Sequence, residues 1–189
     1  MSRFRGIYVL LLLLAAWIML PLSGSAQVAG LEATQNAFRQ IHAKLAPAVV
    51  SITSRIQETN DGEMFNPFGA PGSPRTFTAS GSGVIIRADG IILTNSHVVN
   101  NATRVNVTLS GRDKALPAEV VQTDPRTDLA IVRITEKGTY PTANLGDATK
   151  VQVGDWAIAF GSPFRLASTM TVGVISATGR TLPSPNDTF

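Results

Sequence analysis

Gly81-Ser82-Gly83-Val84-Ile85-Ile86-Arg87-Ala88-Asp89-Gly90-Ile91-Ile92-Leu93-Thr94-Asn95-Ser96-His97-Val98-Val99 is the stretch on which the fold of this chain turns. Two short apolar runs, 83–87 and 91–95, flank Ala88-Asp89-Gly90. An Asp-Gly pair between such runs is a strong hairpin signal, because glycine supplies the positive φ that a tight turn needs. Gly81 and Gly83 mark a bulge or a close approach of another backbone. The second run leads directly into a histidine. Helical period is absent here, and the rhythm is that of strands.

The same rhythm continues downstream, with apolar runs about every ten residues, each bounded by turn residues, as in an all-β barrel or sandwich. Val105, Val107 and Leu109 alternate with polar residues before Ser110-Gly111-Arg112-Asp113 turns the chain. Runs at 118–122 and 129–134 complete one small barrel, spanning 78–148. Its last part, 135–149, contains Gly138, Pro141 and Gly146 and reads as a connection. Runs at 156–160 and 169–178 are expected to be the first two strands of a second barrel, over 149–189. Two strands cannot close a barrel, so the expectation is an all-β chain with the first barrel complete and the second truncated.

Upstream, residues 48–57 alternate as a strand with Val50 and Ile52 on one face. Between 59 and 75 the composition shifts to Gly, Pro, Asn and Asp with Met64, Phe65 and Phe68 embedded. This predicts a flexible loop, assigned to 59–77, whose aromatics dock on something. Phe38, Ile41 and Leu45 recur at three- and four-residue spacing, predicting a short amphipathic helix over 33–45 that ends before Pro47. That helix and the first strand make up the segment 27–58.

At the extreme N-terminus Arg3 and Arg5 precede an apolar stretch, 7–20, and the small residues Ser23-Gly24-Ser25-Ala26. That order is the layout of a secretory signal over 1–26 with the mature chain starting at Gln27. The alternative is an uncleaved membrane anchor through 6–22. Both readings export the rest of the protein.

Sixteen basic against thirteen acidic residues give a net charge of +3. Losing Arg3 and Arg5 with the signal leaves the chain close to neutral. No basic run interleaves with aromatics, so nucleic acid is not an expected partner. The absence of cysteine rules out a disulfide framework, and two histidines without cysteines imply neither a structural zinc site nor any other cofactor.

A serine-protease triad needs a histidine held by a carboxylate, so that the imidazole keeps the right tautomer and accepts a hydroxyl proton. Only His42 and His97 are available. His42 falls on the predicted helix, away from any glycine-rich segment, and reads as structural. His97 follows a strand, where a side chain can project from a barrel rim. Physics alone leaves it open whether His97 is a base or a satisfied structural residue.

Thr94-Asn95-Ser96-His97-Val98-Val99 resembles the histidine motif of the HtrA/Deg serine proteases. The preceding 81–86 and Asp89-Gly90 match that family's first strand and hairpin. Asp124-Pro125-Arg126-Thr127-Asp128-Leu129-Ala130 resembles its aspartate motif, in which the second acid is the triad member. Val153-Gly154-Asp155, residues 159–164 and residues 171–176 extend the likeness over about a hundred residues, and ordered motifs over such a length are far more specific than any one. The resemblance implies a chymotrypsin-like double β-barrel, with His97 as catalytic base and Asp128 as its carboxylate. On residue chemistry alone Asp128 is equally a turn residue before a strand, as Asp124 before Pro125 is.

The departure from the family is the nucleophile, since no Gly-Asn-Ser-Gly-Gly-like segment occurs. Ser162 precedes Pro163, Ser176 lies in a strand, and Ser82 belongs to the first barrel, so none fits that role. The chain as given is therefore expected to be an inactive fragment. The resemblance further implies a periplasmic location, unfolded or damaged exported proteins as substrates, homotrimers through N-terminal segments, and PDZ domains downstream. It makes 59–75 a regulatory loop that reaches other subunits and 179–189 the start of a ligand-sensing loop. The rival readings are a non-catalytic chaperone or peptide-binding barrel, and a plain exported barrel in which His97 is structural.

Overall fold

The structure, a computed structural model, describes residues 23–58, 75–161 and 169–180. Residues 1–22 of the signal expected over 1–26, Met64, Phe65 and Phe68 of the loop, Ser162, and the last residues of the chain lie outside the described residues. The chain divides into two compact units, one ending at Ile41 and the other beginning at His42.

Helix α1, Ser23–Leu45, begins ten residues before the expected start at 33. Its added turns contain no proline to break the helix, although Gly24 and Gly30 are poor helix formers. Among the described residues no helix is long and apolar enough to cross a membrane. The helix gives way to a 3-10 turn, Ala46–Ala48, at Pro47, as the sequence requires.

Six strands follow: β1 Val49–Glu58, β2 Arg75–Arg87, β3 Ile91–Thr94, β4 Ala102–Leu109, β5 Ala115–Asp124 and β6 Leu129–Ile134. They form one closed antiparallel barrel in the order β1-β2-β3-β6-β5-β4. Closure is made by β1 pairing with β4, from Val50 opposite Leu109 to Ile56 opposite Ala102. Extra residues at three places bend the ladders: between Arg55 and Ile56, between Ile85 and Arg87, and between Val120 and Gln122. Such bulges raise the local twist that a small barrel needs.

The interior is filled as the alternation predicts. Val50 and Ile52 from β1, Ile85 from β2, Ile92 from β3, Val107 from β4 and Val132 from β6 are all fully buried. The Asp89-Gly90 hairpin forms with Gly90 at φ 91° and its N–H donating to the Arg87 carbonyl at 3.0 Å. Gly83 is a close-approach glycine, since a Cβ there would sit 2.6 Å from Ile92 Cγ2 and 2.8 Å from Ile52 Cδ1.

Two strands are longer than the sequence suggested. β2 starts at Arg75, inside the segment read as loop to 77, because its polar first half pairs with β1 down to Glu58 opposite Arg75. β5 starts at Ala115 despite Pro117. Of the two strands beside β5, only β4 pairs at Pro117, opposite Asn106. A missing ladder N–H is tolerated there, and the Pro117 carbonyl accepts from Thr135 N at 3.0 Å and Thr135 Oγ1 at 3.1 Å.

Beyond the barrel, β7 Trp156–Gly161 and β8 Thr169–Val174 pair as a two-stranded antiparallel sheet, Trp156 opposite Val174. β8 is shorter than the expected 169–178. Trp156 and Val174, at the two ends of this pairing, are 63% and 56% exposed.

Candidate active site

One residue beyond β3 the chain leaves the extended conformation. Ser96–Val99 form a single helical turn, α2, which sequence periodicity over so few residues does not reveal. The turn buries Ser96, Val98 and Val99 and leaves His97 pointing outward. Two contacts fix it to the barrel, and a third ties down the end of the strand before it. Ser54 Oγ, fully buried on β1, donates to the Val98 carbonyl. On β2, Gly81 lies so close that a Cβ would be 2.5 Å from Val98 Cγ2. Thr94 Oγ1, at the end of β3, donates to the Ser82 carbonyl at 2.7 Å. Ser54 carried no signal in the sequence, since an isolated serine inside a strand looks like any polar alternation.

Asp128 lies immediately before β6 with its backbone in the left-handed region, φ 53°. Asp is one of the few non-glycine residues that tolerates this conformation. β3 and β6 are neighbours, with Thr94 opposite Ala130, so the residues just beyond Thr94 and just before Ala130 meet at one end of the barrel. His97 Nδ1 is thereby 2.8 Å from Asp128 Oδ2 and 3.0 Å from Oδ1, although 31 residues separate them. The His97 backbone N–H donates to Oδ1 at 3.0 Å, and Ser96 N–H donates to the Asp128 carbonyl at 3.1 Å. Asn95 Nδ2 donates to Asp128 Oδ2 at 3.1 Å and to its carbonyl at 3.2 Å.

This donor set holds the Asp128 carboxyl below its ordinary value of 3.8. The His97 backbone N–H is the largest cause, followed by the imidazole hydrogen bond and the imidazole's charge, with Asn95 adding to them. Because the folded value is depressed, the carboxylate's contribution to the pair is in place above the ordinary carboxyl range. It is lost as pH falls through the depressed value. Replacing His97 by alanine removes the imidazole but keeps the backbone donor. A carbonyl-carbon NMR titration of the His97→Ala chain should therefore show the Asp128 midpoint rising toward, and stopping short of, the ordinary value. A midpoint unchanged from the parent chain would mean that the imidazole does not interact with the carboxylate.

The other candidates are placed elsewhere. The His42 ring packs on Phe160, with centroids 6.0 Å apart and planes inclined at 33°, which is a packing role. Asp124 Oδ1 accepts the Arg126 N–H at 3.1 Å, the turn geometry expected before Pro125. Asp89 pairs with Arg87 at 2.6 Å, and Asp155 accepts the Gln152 N–H at 2.9 Å. The His97 side chain is 71% exposed, so its imidazole is open to an incoming group.

Residues 81–188 match the family model described as a trypsin-like peptidase domain. The chain belongs to the trypsin-like peptidases, in their HtrA/Deg branch. It is 38% identical over 196 aligned positions to a probable periplasmic serine endoprotease DegP-like of Halomonas elongata, covering 90% of this chain and 41% of that protein. A protein of the same description from Marinomonas sp. is 39% identical, covering 79% of this chain and 36% of the relative. Among solved structures, a variant of the HtrA-type protease AlgW with decapeptide superposes with a TM-score of 0.68 at 33% identity, over 79% of this chain and 47% of that one. The chain thus spans less than half the length of these relatives. The HtrA/Deg membership makes the closed barrel the first half of a chymotrypsin-like fold, and the relatives' description as periplasmic agrees with the export expected from residues 1–26. The chain is an exported protein of the periplasm.

Proposed function

We propose that this HtrA/Deg chain carries the base and the orienting carboxylate of a serine endopeptidase that degrades unfolded or damaged exported proteins. The observation that carries the reading is the 2.8 Å contact of His97 Nδ1 with Asp128 Oδ2 on an exposed barrel rim. In this role Asp128 accepts the Nδ1 proton and fixes the tautomer that leaves Nε2 unprotonated. His97 Nε2 then takes the proton of a serine hydroxyl as that oxygen attacks the scissile carbonyl, and returns it to the departing amine. Asp128 keeps its charge throughout and stabilises the imidazolium.

The serine and its oxyanion donors belong, in this proposal, to a Gly-Asn-Ser-Gly-Gly-like segment of a longer protein, because none is present in the sequence. Loss of the triad serine alone costs about six orders of magnitude in subtilisin. Removing the oxyanion donors as well leaves no measurable turnover. The same proposal makes 1–26 a secretory signal, 59–77 a loop that contacts other subunits, and the assembled protease a homotrimer. Decapeptide-bearing relatives support a peptide-binding cleft.

The test uses purified chain and unfolded casein. No cleavage is expected, and a reading frame extended downstream through a Gly-x-Ser-Gly-Gly segment should gain cleavage that a serine-reactive inhibitor blocks. An extended, folded product that binds peptides and never cleaves them would replace the protease reading with that of a binding protein.

A further inference from the structure

Asn95 stands immediately before α2, with φ −81° and ψ 143°. An asparagine in that position ordinarily accepts a hydrogen bond from the N–H two or three residues ahead. Asn95 makes no such bond. The N–H it would cap, that of His97, goes instead to Asp128 Oδ1 at 3.0 Å. The Asn95 side chain is reversed in role: its Nδ2 donates to Asp128 Oδ2 at 3.1 Å and to the Asp128 carbonyl at 3.2 Å. Asp128 thus caps the turn that bears the histidine, and the residue that should have capped it grips Asp128.

The consequence lies in one torsion. Without Asn95 the carboxylate would be held only by the His97 N–H on Oδ1 and by the imidazole whose tautomer is at stake, so it could still pivot about its Cβ–Cγ bond while water competes for Oδ2. A second donor on Oδ2 stops the pivot. Asp128 also sits in the left-handed region, which a residue with a side chain holds only where its surroundings enforce it. Asn95 Nδ2 and Ser96 N–H, both on the Asp128 carbonyl, supply that enforcement.

We propose that Asn95 is a positioning residue that locks the Asp128 carboxylate, so that Oδ2 stays on Nδ1 of His97 and the neutral imidazole is kept in its Nδ1–H form. The proposal rests on the reading of His97 and Asp128 as base and carboxylate, since only the Nδ1–H form leaves Nε2 free to take a proton. Asn95 acts through Asp128, to which its Nδ2 donates.

The test reads the tautomer directly and needs no nucleophile. The chain has two histidines, so imidazole nitrogen-15 spectra of the 189-residue protein are assigned by one His97→Ala control. Above the imidazole titration, the parent chain should show His97 as Nδ1–H. Asn95→Ala, and Asn95→Leu with nearly the original volume, should both move it toward Nε2–H while the backbone amide spectrum elsewhere is unchanged, because Asn95 is exposed. A parent chain in the Nδ1–H form whose tautomer is untouched by either substitution overturns the role of Asn95 and leaves the His97–Asp128 pair standing. A parent chain already in the Nε2–H form, and indifferent to Asp128→Ala, overturns the pair and the role together. Unfolding of both Asn95 variants also overturns the proposal, because Asn95 would then be a structural residue of the barrel.

Discussion

In the serine-bearing protease proposed above, Asp128→Asn is expected to lower turnover on an unfolded protein by about 10⁴-fold, the cost of the same change in a well-studied triad. The local geometry explains why so small a change is so damaging. The carboxylate of Asp128 accepts everything that faces it: His97 N–H on Oδ1, Asn95 Nδ2 on Oδ2, and the imidazole Nδ1. An asparagine has one acceptor and one donor in place of two acceptors. If its oxygen keeps the His97 N–H, its NH2 faces Asn95 Nδ2 and forces Nδ1 to accept, which protonates Nε2 and removes the base. If the amide turns over, its NH2 meets the His97 N–H instead. Neither orientation restores the native set. The Asp128 side chain is 46% exposed, so the variant should fold and still bind peptide. The measurement is kcat and KM on unfolded casein beside a thermal melt. Turnover within tenfold of the parent would remove Asp128 from the triad.

Ile92→Ala is expected to cost about 2–5 kcal/mol of stability, the usual range for truncating a large aliphatic residue in a core. Ile92 is fully buried on β3, and its Cγ2 occupies the space that Gly83 leaves empty on β2. It is also paired with Val132 of β6 at the centre of the sheet, so the barrel cannot collapse around the hole without breaking the ladder. Against a total of about 5–15 kcal/mol for a domain, this is a large share. Urea unfolding followed by circular dichroism should show the midpoint falling with little change in slope. The effect should reach the site, because β3 delivers the chain to His97 and β6 begins one residue after Asp128. A loss below ~1 kcal/mol would mean the site relaxes freely and the interior is not close-packed there.

What could be read in the residues alone was local. Alternation of Val105, Val107 and Leu109, the turn chemistry of Asp89-Gly90, and the stop at Pro47 each act within a few residues, and each element formed where expected. The aspartate and histidine were picked out by resemblance, because neither residue has a neighbour in sequence that betrays its partner. Within the barrel, the bounds that moved were those set by partners. β2 reaches back to Arg75 only because β1 is there to pair with it, and β5 includes Pro117 because just one side is paired at that point.

The sequence by itself determined the strand rhythm, the hairpin and the family likeness, since these depend on side-chain period, turn propensity and ordered motifs. Tertiary structure alone decided the closure of β1 on β4, the one-turn helix that turns His97 outward, the left-handed backbone of Asp128 and the reversal of Asn95 from cap to donor. The physical reason is that hydrogen bonds across 31 residues, such as that from His97 to Asp128, form only after the barrel has fixed both strand ends. No local preference of either residue contains that information.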